Sequence, residues 1–116
     1  MLTIEYFSHL PAFSMSGHAK EAPRGADIVC AGASALLFTL IAMLDEKEDD
    51  LCPEFFEHND HYNITCQPEL RYMSDALGIF RDFAKGFEFL ARYYPDYVKF
   101  IKDPPLSAKK EPIEHE

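Results

Sequence analysis

Apolar and polar residues alternate with a period of two at the start of the chain. Leu2, Ile4 and Tyr6 fall on one face, Thr3 and Glu5 on the other, which predicts a strand over residues 2–8. His9-Leu10-Pro11 reads as a turn, because Pro11 has no N–H to give to a ladder. Alternation resumes over residues 12–17, with Phe13 and Met15 opposite Ser14 and Ser16, so the two runs form a β-hairpin. From Ile28 to Leu44 there are seventeen residues without a charge. A membrane-spanning helix needs about twenty, and this run includes Gly32, Ser34 and Thr39. It is read as a soluble helix, apolar on every side and therefore covered on every side. Asp27 suits its N-cap, and the charged run from Asp45 to Asp50 ends it in solvent.

Glu54-Phe-Phe-Glu57 and Tyr62-Asn-Ile-Thr-Cys66 read as two further strands joined by His58-Asn-Asp-His61. From Glu69 to Tyr94 the period is helical. Leu70, Met73, Leu77, Phe80, Ala84, Phe87, Leu90 and Tyr94 step by three or four along one face. Pro68 fits the start of this helix and Pro95 its stop. Tyr97-Val-Lys-Phe-Ile101 is a last apolar patch, and residues 103–116 read as a disordered tail rich in Pro and charge. The order β-β-α-β-β-α predicts an α/β (α+β) two-layer domain over residues 1–102, a small sheet of two hairpins with two main helices. One amphipathic helix and a sheet do not suffice to cover a helix apolar all round. A homodimer burying the remainder is the expectation.

Composition narrows the function. The chain has 116 residues, 47% of them hydrophobic, and a net charge of −9 from 20 acidic and 11 basic side chains. Such a balance repels phosphate backbones and argues against direct nucleic-acid binding, while a basic peptide or protein is the better electrostatic partner. Three cysteines are an odd number, and the N-terminus lacks a secretory layout. The expected compartment is the reducing cytoplasm.

One stretch carries candidate chemistry. His18 and Cys30 stand twelve positions apart, flanking the connection Ala19, Lys20, Glu21, Ala22, Pro23, Arg24, Gly25 and Ala26. With Asp27 as cap, Cys30 falls on the first helical turn, where free N–H groups and the helix dipole favour a thiolate. An imidazole nearby pairs with that thiolate and later protonates a leaving amine. Free N–H groups at the same helix end can stabilise an oxyanion. Ser34 lies one turn beyond Cys30, within reach of a supporting hydrogen bond. Spacing alone leaves a packed, inert cysteine as the alternative.

Gly17-His18-Ala19, the loop ending at Gly25-Ala26-Asp27, and Asp27-Ile-Val-Cys-Ala-Gly-Ala-Ser-Ala-Leu36 together resemble the ribosomal-processing cysteine protease (Prp) family. Ala91-Arg-Tyr-Tyr-Pro-Asp-Tyr-Val98 resembles the helix end of that family. The resemblance implies a small α/β dimer without a cofactor. Its substrate would be the N-terminal extension of a basic large-subunit ribosomal protein, removed during ribosome assembly. By position it implies Cys30 as nucleophile, His18 as base and acid, and Gly17, Asp27 and Ser34 as supporting residues. The loop from Ala19 to Ala26 would order around the substrate. Gly32, where many relatives have Ala, and the charged loop depart from the pattern, and residues 45–67 match weakly. Two readings of other classes stand beside it. One is a non-catalytic ribosome-associated assembly factor of the same fold. The other is a zinc module built from Cys52, His58, His61 and Cys66, whose spacing is unlike that of common zinc sites.

Overall fold

The computed structural model describes residues 1–17 and 24–105, and for residues 24–27 the backbone only. The elements are β1 (Leu2–Phe7), β2 (Ala12–Ser16), α1 (Arg24–Glu46), α2 (Glu48–Leu51), β3 (Pro53–His58), β4 (His61–Cys66), α3 (Leu70–Tyr93) and β5 (Val98–Lys102). One five-stranded sheet runs in the order β3-β4-β2-β1-β5. Both expected hairpins are present and antiparallel, β2 and β4 join them, and β5 lies parallel to β1. The two-layer α+β class therefore holds, with two elements that the sequence pattern did not announce. The apolar patch after α3 is the fifth strand, and a single turn, α2, precedes β3. A five-residue strand is too short to declare itself by period. What makes Val98–Lys102 a strand is β1, whose residues 2–6 offer a free edge.

Alternation decides the two faces of the sheet. Leu2, Ile4, Tyr6, Phe13, Met15, Ile64, Cys66 and Val98 are buried beneath the helices. Thr3, Glu5, Ser16, Asn63 and Thr65 take the intervening positions on the face without helices, where short polar side chains tolerate water. Onto the apolar face α1 lowers Val29, Ala33, Leu37, Leu40 and Leu44, and α3 lowers Ala76, Phe80, Ala84 and Phe87. Phe13 and Phe87 meet with ring centroids 4.8 Å apart. The helices approach closely at Gly86, where an added Cβ would stand 2.8 Å from the side chain of Leu36.

By length and composition α1 could cross a membrane, yet five of its side chains sit in the core. The expectation that it is covered on every side is not met within one chain. Ile28, Ala31, Ala35, Phe38 and Ala42 recur at steps of three and four and are all exposed, forming an apolar stripe along the outer surface.

Beyond β5 the chain is tied down once more. The Asp103 N–H donates to the Tyr6 carbonyl at 2.7 Å, while the Ser8 N–H and Oγ donate to the two Asp103 carboxylate oxygens, each at 2.7 Å. The remainder of the expected tail, from residue 106, lies outside the described residues, as do His18 and residues 19–23.

Candidate active site

The backbone around the candidate dyad is set by the end of a central strand. β2 is paired on both sides and stops at Ser16. Gly17 follows with φ of +84°, and a Cβ there would collide with the Met1 carbonyl oxygen. Only glycine takes this turn without strain. The Gly17 N–H donates to the Asp60 carbonyl at 3.1 Å, which fastens the strand exit to the tip of the β3–β4 hairpin. His18 is the next residue in the chain. Its own placement lies outside the described residues, but its point of departure does not.

Cys30 arrives at the same end of the sheet by another route. Gly32 packs on Leu90, and Leu36 packs on Gly86, so α1 runs antiparallel to α3 and its early turns meet the last turns of α3. The end of α3 leads to Tyr97, whose carbonyl accepts the Leu2 N–H at 2.8 Å. Leu2 opens β1, and Thr3 pairs with Ser16. Cys30 and the exit of β2 are thereby brought to one end of the domain. Cys30 is half-buried. Helical spacing puts it, with half-buried Ser34, on the flank of α1 turned away from Gly32 and Leu36, hence from α3.

Two expectations about the helix start need correction. Helix α1 begins at Arg24, so Arg24, Gly25 and Ala26 belong to its first turn rather than to the loop. Asp27 is the fourth helical residue and not the N-cap. The helix is thereby four residues longer at its start, Arg24 to Asp27, than an Asp27 cap would make it. Cys30 is then the seventh residue of α1, at the end of its second turn, and the free N–H groups of the first turn lie about 5–9 Å back along the axis. The helix-terminal contribution to thiolate formation and to an oxyanion site is correspondingly smaller than a first-turn cysteine would receive.

The other two cysteines sit elsewhere. Pro53 pairs with Cys66, and His58 pairs with His61, at opposite ends of the β3–β4 hairpin. Six residues of strand, roughly 17–20 Å, separate Cys52 and Cys66 from the two histidines. The four residues of the zinc reading do not converge, and among the described residues no group of three or more His, Cys, Asp or Glu does. Burial, with Cys52 alongside, pushes the Cys66 thiol up to about 11. That thiol is held neutral and inert.

His61 gains a different significance. It pairs with Ser16 on one side and His58 on the other, one position from the Gly17 turn. Its Nε2 is enclosed and has no hydrogen-bond partner among the described residues. Sequence reading had grouped His61 with the cysteines. Only the register between β2 and β4 shows that it borders the strand exit leading to His18.

The fold has counterparts among solved structures. The essential ribosomal processing protease Prp from S. aureus, in complex with a covalently linked product peptide, is 22% identical. Its TM-score is 0.72, over 88% of this chain and 99% of that one. The same protease in complex with a substrate peptide gives 21% identity and a TM-score of 0.73 over the same shares. SMU.848 from Streptococcus mutans is 25% identical with a TM-score of 0.61, covering 87% of this chain and 92% of its own. A comparison with curated protein sequences finds no match. The family described as cysteine protease Prp matches residues 1–99, spanning every strand and helix of the domain up to the start of β5. With a half-buried cysteine brought to the strand end that precedes a histidine, the chain belongs to the Prp family of cysteine proteases.

Proposed function

We propose that Cys30 is the nucleophile of this protease and His18 its base and acid, and that the substrate is the N-terminal extension of a basic large-subunit ribosomal protein. The observation that carries the assignment is the sorting of the three thiols. Cys66 is buried and neutral, Cys52 lies at the far end of the hairpin, and Cys30 alone stands at the end from which His18 departs. The Cys30 thiolate attacks the scissile carbonyl carbon, and the His18 imidazolium passes its proton to the leaving amine. The resulting thioester is hydrolysed by a water whose proton returns to His18. Gly17 sets the direction in which His18 leaves the sheet, and Asp27 and Ser34 support the site from the first turns of α1. The connection from Ala19 to Pro23 takes part in recognising the peptide. The S. aureus structures carry substrate and product peptides, which favours this reading. The reaction takes place in the cytoplasm, where a free thiol persists.

Incubation with the precursor ribosomal protein tests the assignment. The unmodified protein shortens it at one N-terminal bond, and Cys30→Ala lowers the rate by at least about a thousandfold. Equal cleavage by Cys30→Ala would overturn the mechanism. The same proposal includes a homodimer closing over the outer stripe of α1, since a continuous apolar helix face in water marks an interaction surface. Light scattering at high micromolar concentration shows a dimer for the unmodified chain and a monomer for Phe38→Glu. A monomeric unmodified chain removes the dimer without touching the dyad.

A further inference from the structure

Among the described residues the sheet has an open edge. Among the described residues β3 is paired with β4 alone, so backbone groups along its outer side face away from the sheet. Edge strands are ordinarily blunted by lysine, by bulges or by a covering element. β3, Pro-Glu-Phe-Phe-Glu-His, has no lysine and pairs without a bulge; its edge devices are Pro53 at the start and the charges of Glu54 and Glu57, which repel an acidic strand and not a basic one. Phe55 is 43% exposed and Phe56 58% exposed. Register places them on opposite faces, Phe55 across from Ile64 and Phe56 across from Asn63. An added strand would find an aromatic ring on either side of it.

Charge selects the occupant. Residues 45–60 carry eight acidic side chains and one lysine, which is seven of the nine surplus negative charges of the whole chain. The acids extend from Asp45–Asp50, ahead of β3, through Glu54 and Glu57 on the strand, to Asp60 just past it. A second copy of this chain pairing at that edge would set carboxylates against carboxylates. A basic strand meets opposite charge along its length. Position links the edge to the chemistry, because β3 ends at His58, two residues from the Asp60 carbonyl that holds Gly17.

We infer that the outer edge of β3 receives a basic, extended segment of the substrate as an added strand, one end of which is delivered to the Cys30 end of the sheet. The inference rests on the protease reading for its purpose and on β3 alone for its existence. It is therefore tested by binding, in Cys30→Ala protein, where no turnover occurs. The probe is a twelve-residue peptide alternating lysine with valine and threonine, followed by calorimetry and by backbone amide shifts. The expected result is a response concentrated on amides 54–58, with affinity that falls as salt rises. Binding is about tenfold weaker in Glu54→Lys/Glu57→Lys protein. Both glutamates are exposed, and the salt titration on otherwise unmodified β3 stands independently of that variant. Shifts concentrated on α3 and β5, affinity indifferent to salt, or equal binding by the charge-reversed variant would overturn the inference. Failure of the precursor to be cleaved would instead strike the protease reading and leave the binding result standing.

Discussion

The two ends of the sheet are built differently. At the end holding Ser8, Pro11, Cys52 and Cys66, turns are closed by ordinary bonds. The Cys66 N–H reaches the Pro11 carbonyl at 3.0 Å, the Gln67 N–H reaches that of Cys52 at 3.2 Å, and Asp103 is clasped by Ser8. At the other end a glycine adopts a conformation closed to other residues, an imidazole nitrogen is enclosed without a described partner, and a cysteine lies half-open to solvent. Left-handed backbone occurs at both ends, at Cys52 and Asp103 as well as at Gly17, Asn59 and Asp60, so the contrast rests on the enclosed imidazole nitrogen and the half-open thiol, because buried polar groups are normally satisfied unless a site requires otherwise. The contrast matches the proposal that the chemistry lies at the Gly17 end of the sheet and not at the end closed by ordinary bonds.

The largest effect that could break this contrast is on turnover. Cys30→Ala abolishes cleavage, whereas Cys66→Ala retains the rate and costs about 1 kcal/mol of stability through the small cavity it leaves. Loss of activity in Cys66→Ala at full stability would reverse the assignment of the two ends. Next in size is Gly17→Ala. It forces a Cβ against the Met1 carbonyl and a side chain into positive φ, at a cost of about 1–3 kcal/mol in chemical denaturation. Cleavage falls further than stability alone accounts for, because His18 leaves from that turn.

Two titrations separate the ends more finely. Burial raises the Cys66 thiol to about 11 from its ordinary value of 9.0. The unfolded chain therefore loses this proton first as pH climbs, and the stability that the neutral buried thiol contributes is present below about pH 9 and lost between there and pH 11. Denaturation followed across that range shows a decline that Cys66→Ala reduces, and an unchanged decline would refute the buried assignment. At the acid side Asp103 is held below the usual carboxylate range, first by the Ser8 hydroxyl and then by the Ser8 N–H, with His9 and Lys102 adding to it. Its contribution is present at neutral pH and disappears as pH falls through the lowered value. Ser8→Ala is slightly less stable than the unmodified chain at pH 6 and indistinguishable from it near pH 2. This is the smallest of the expected effects, since the carboxylate faces solvent.

Much of the domain was legible without coordinates. Leu2-Thr-Ile-Glu-Tyr and Phe-Ser-Met-Ser16 declare strands because one face packs beneath the helices and the other is polar, with Ser14 buried on it, and the period of two survives in the letters. Met73 to Leu90 declares a helix at a period of three to four because its apolar face is covered, whereas Leu70, expected on that face, is exposed at the first helical position. The start of α1 did not, since Asp27 is a good cap wherever it stands and the helix begins instead directly after Pro23. β5 did not either, because Val98-Lys-Phe-Ile-Lys102 is too short to carry a period and owes its conformation to β1.

For the site, the chain by itself determined which groups could do chemistry. A histidine and a cysteine flank one loop, an apolar helix follows, and the negative charge is gathered into residues 45–60. Tertiary structure alone decided which groups meet. The pairing of β2 with β4 puts His61 beside the Gly17 turn, the antiparallel packing of α1 on α3 carries Cys30 to that same end, and six residues of hairpin hold Cys52 and Cys66 away from it. Local sequence sets conformation through periodicity and backbone preference, which act over a few residues. The contacts that bring one thiol to the strand exit before His18 and hold two away from it join segments far apart in the chain, and nothing in the local pattern encodes their distance.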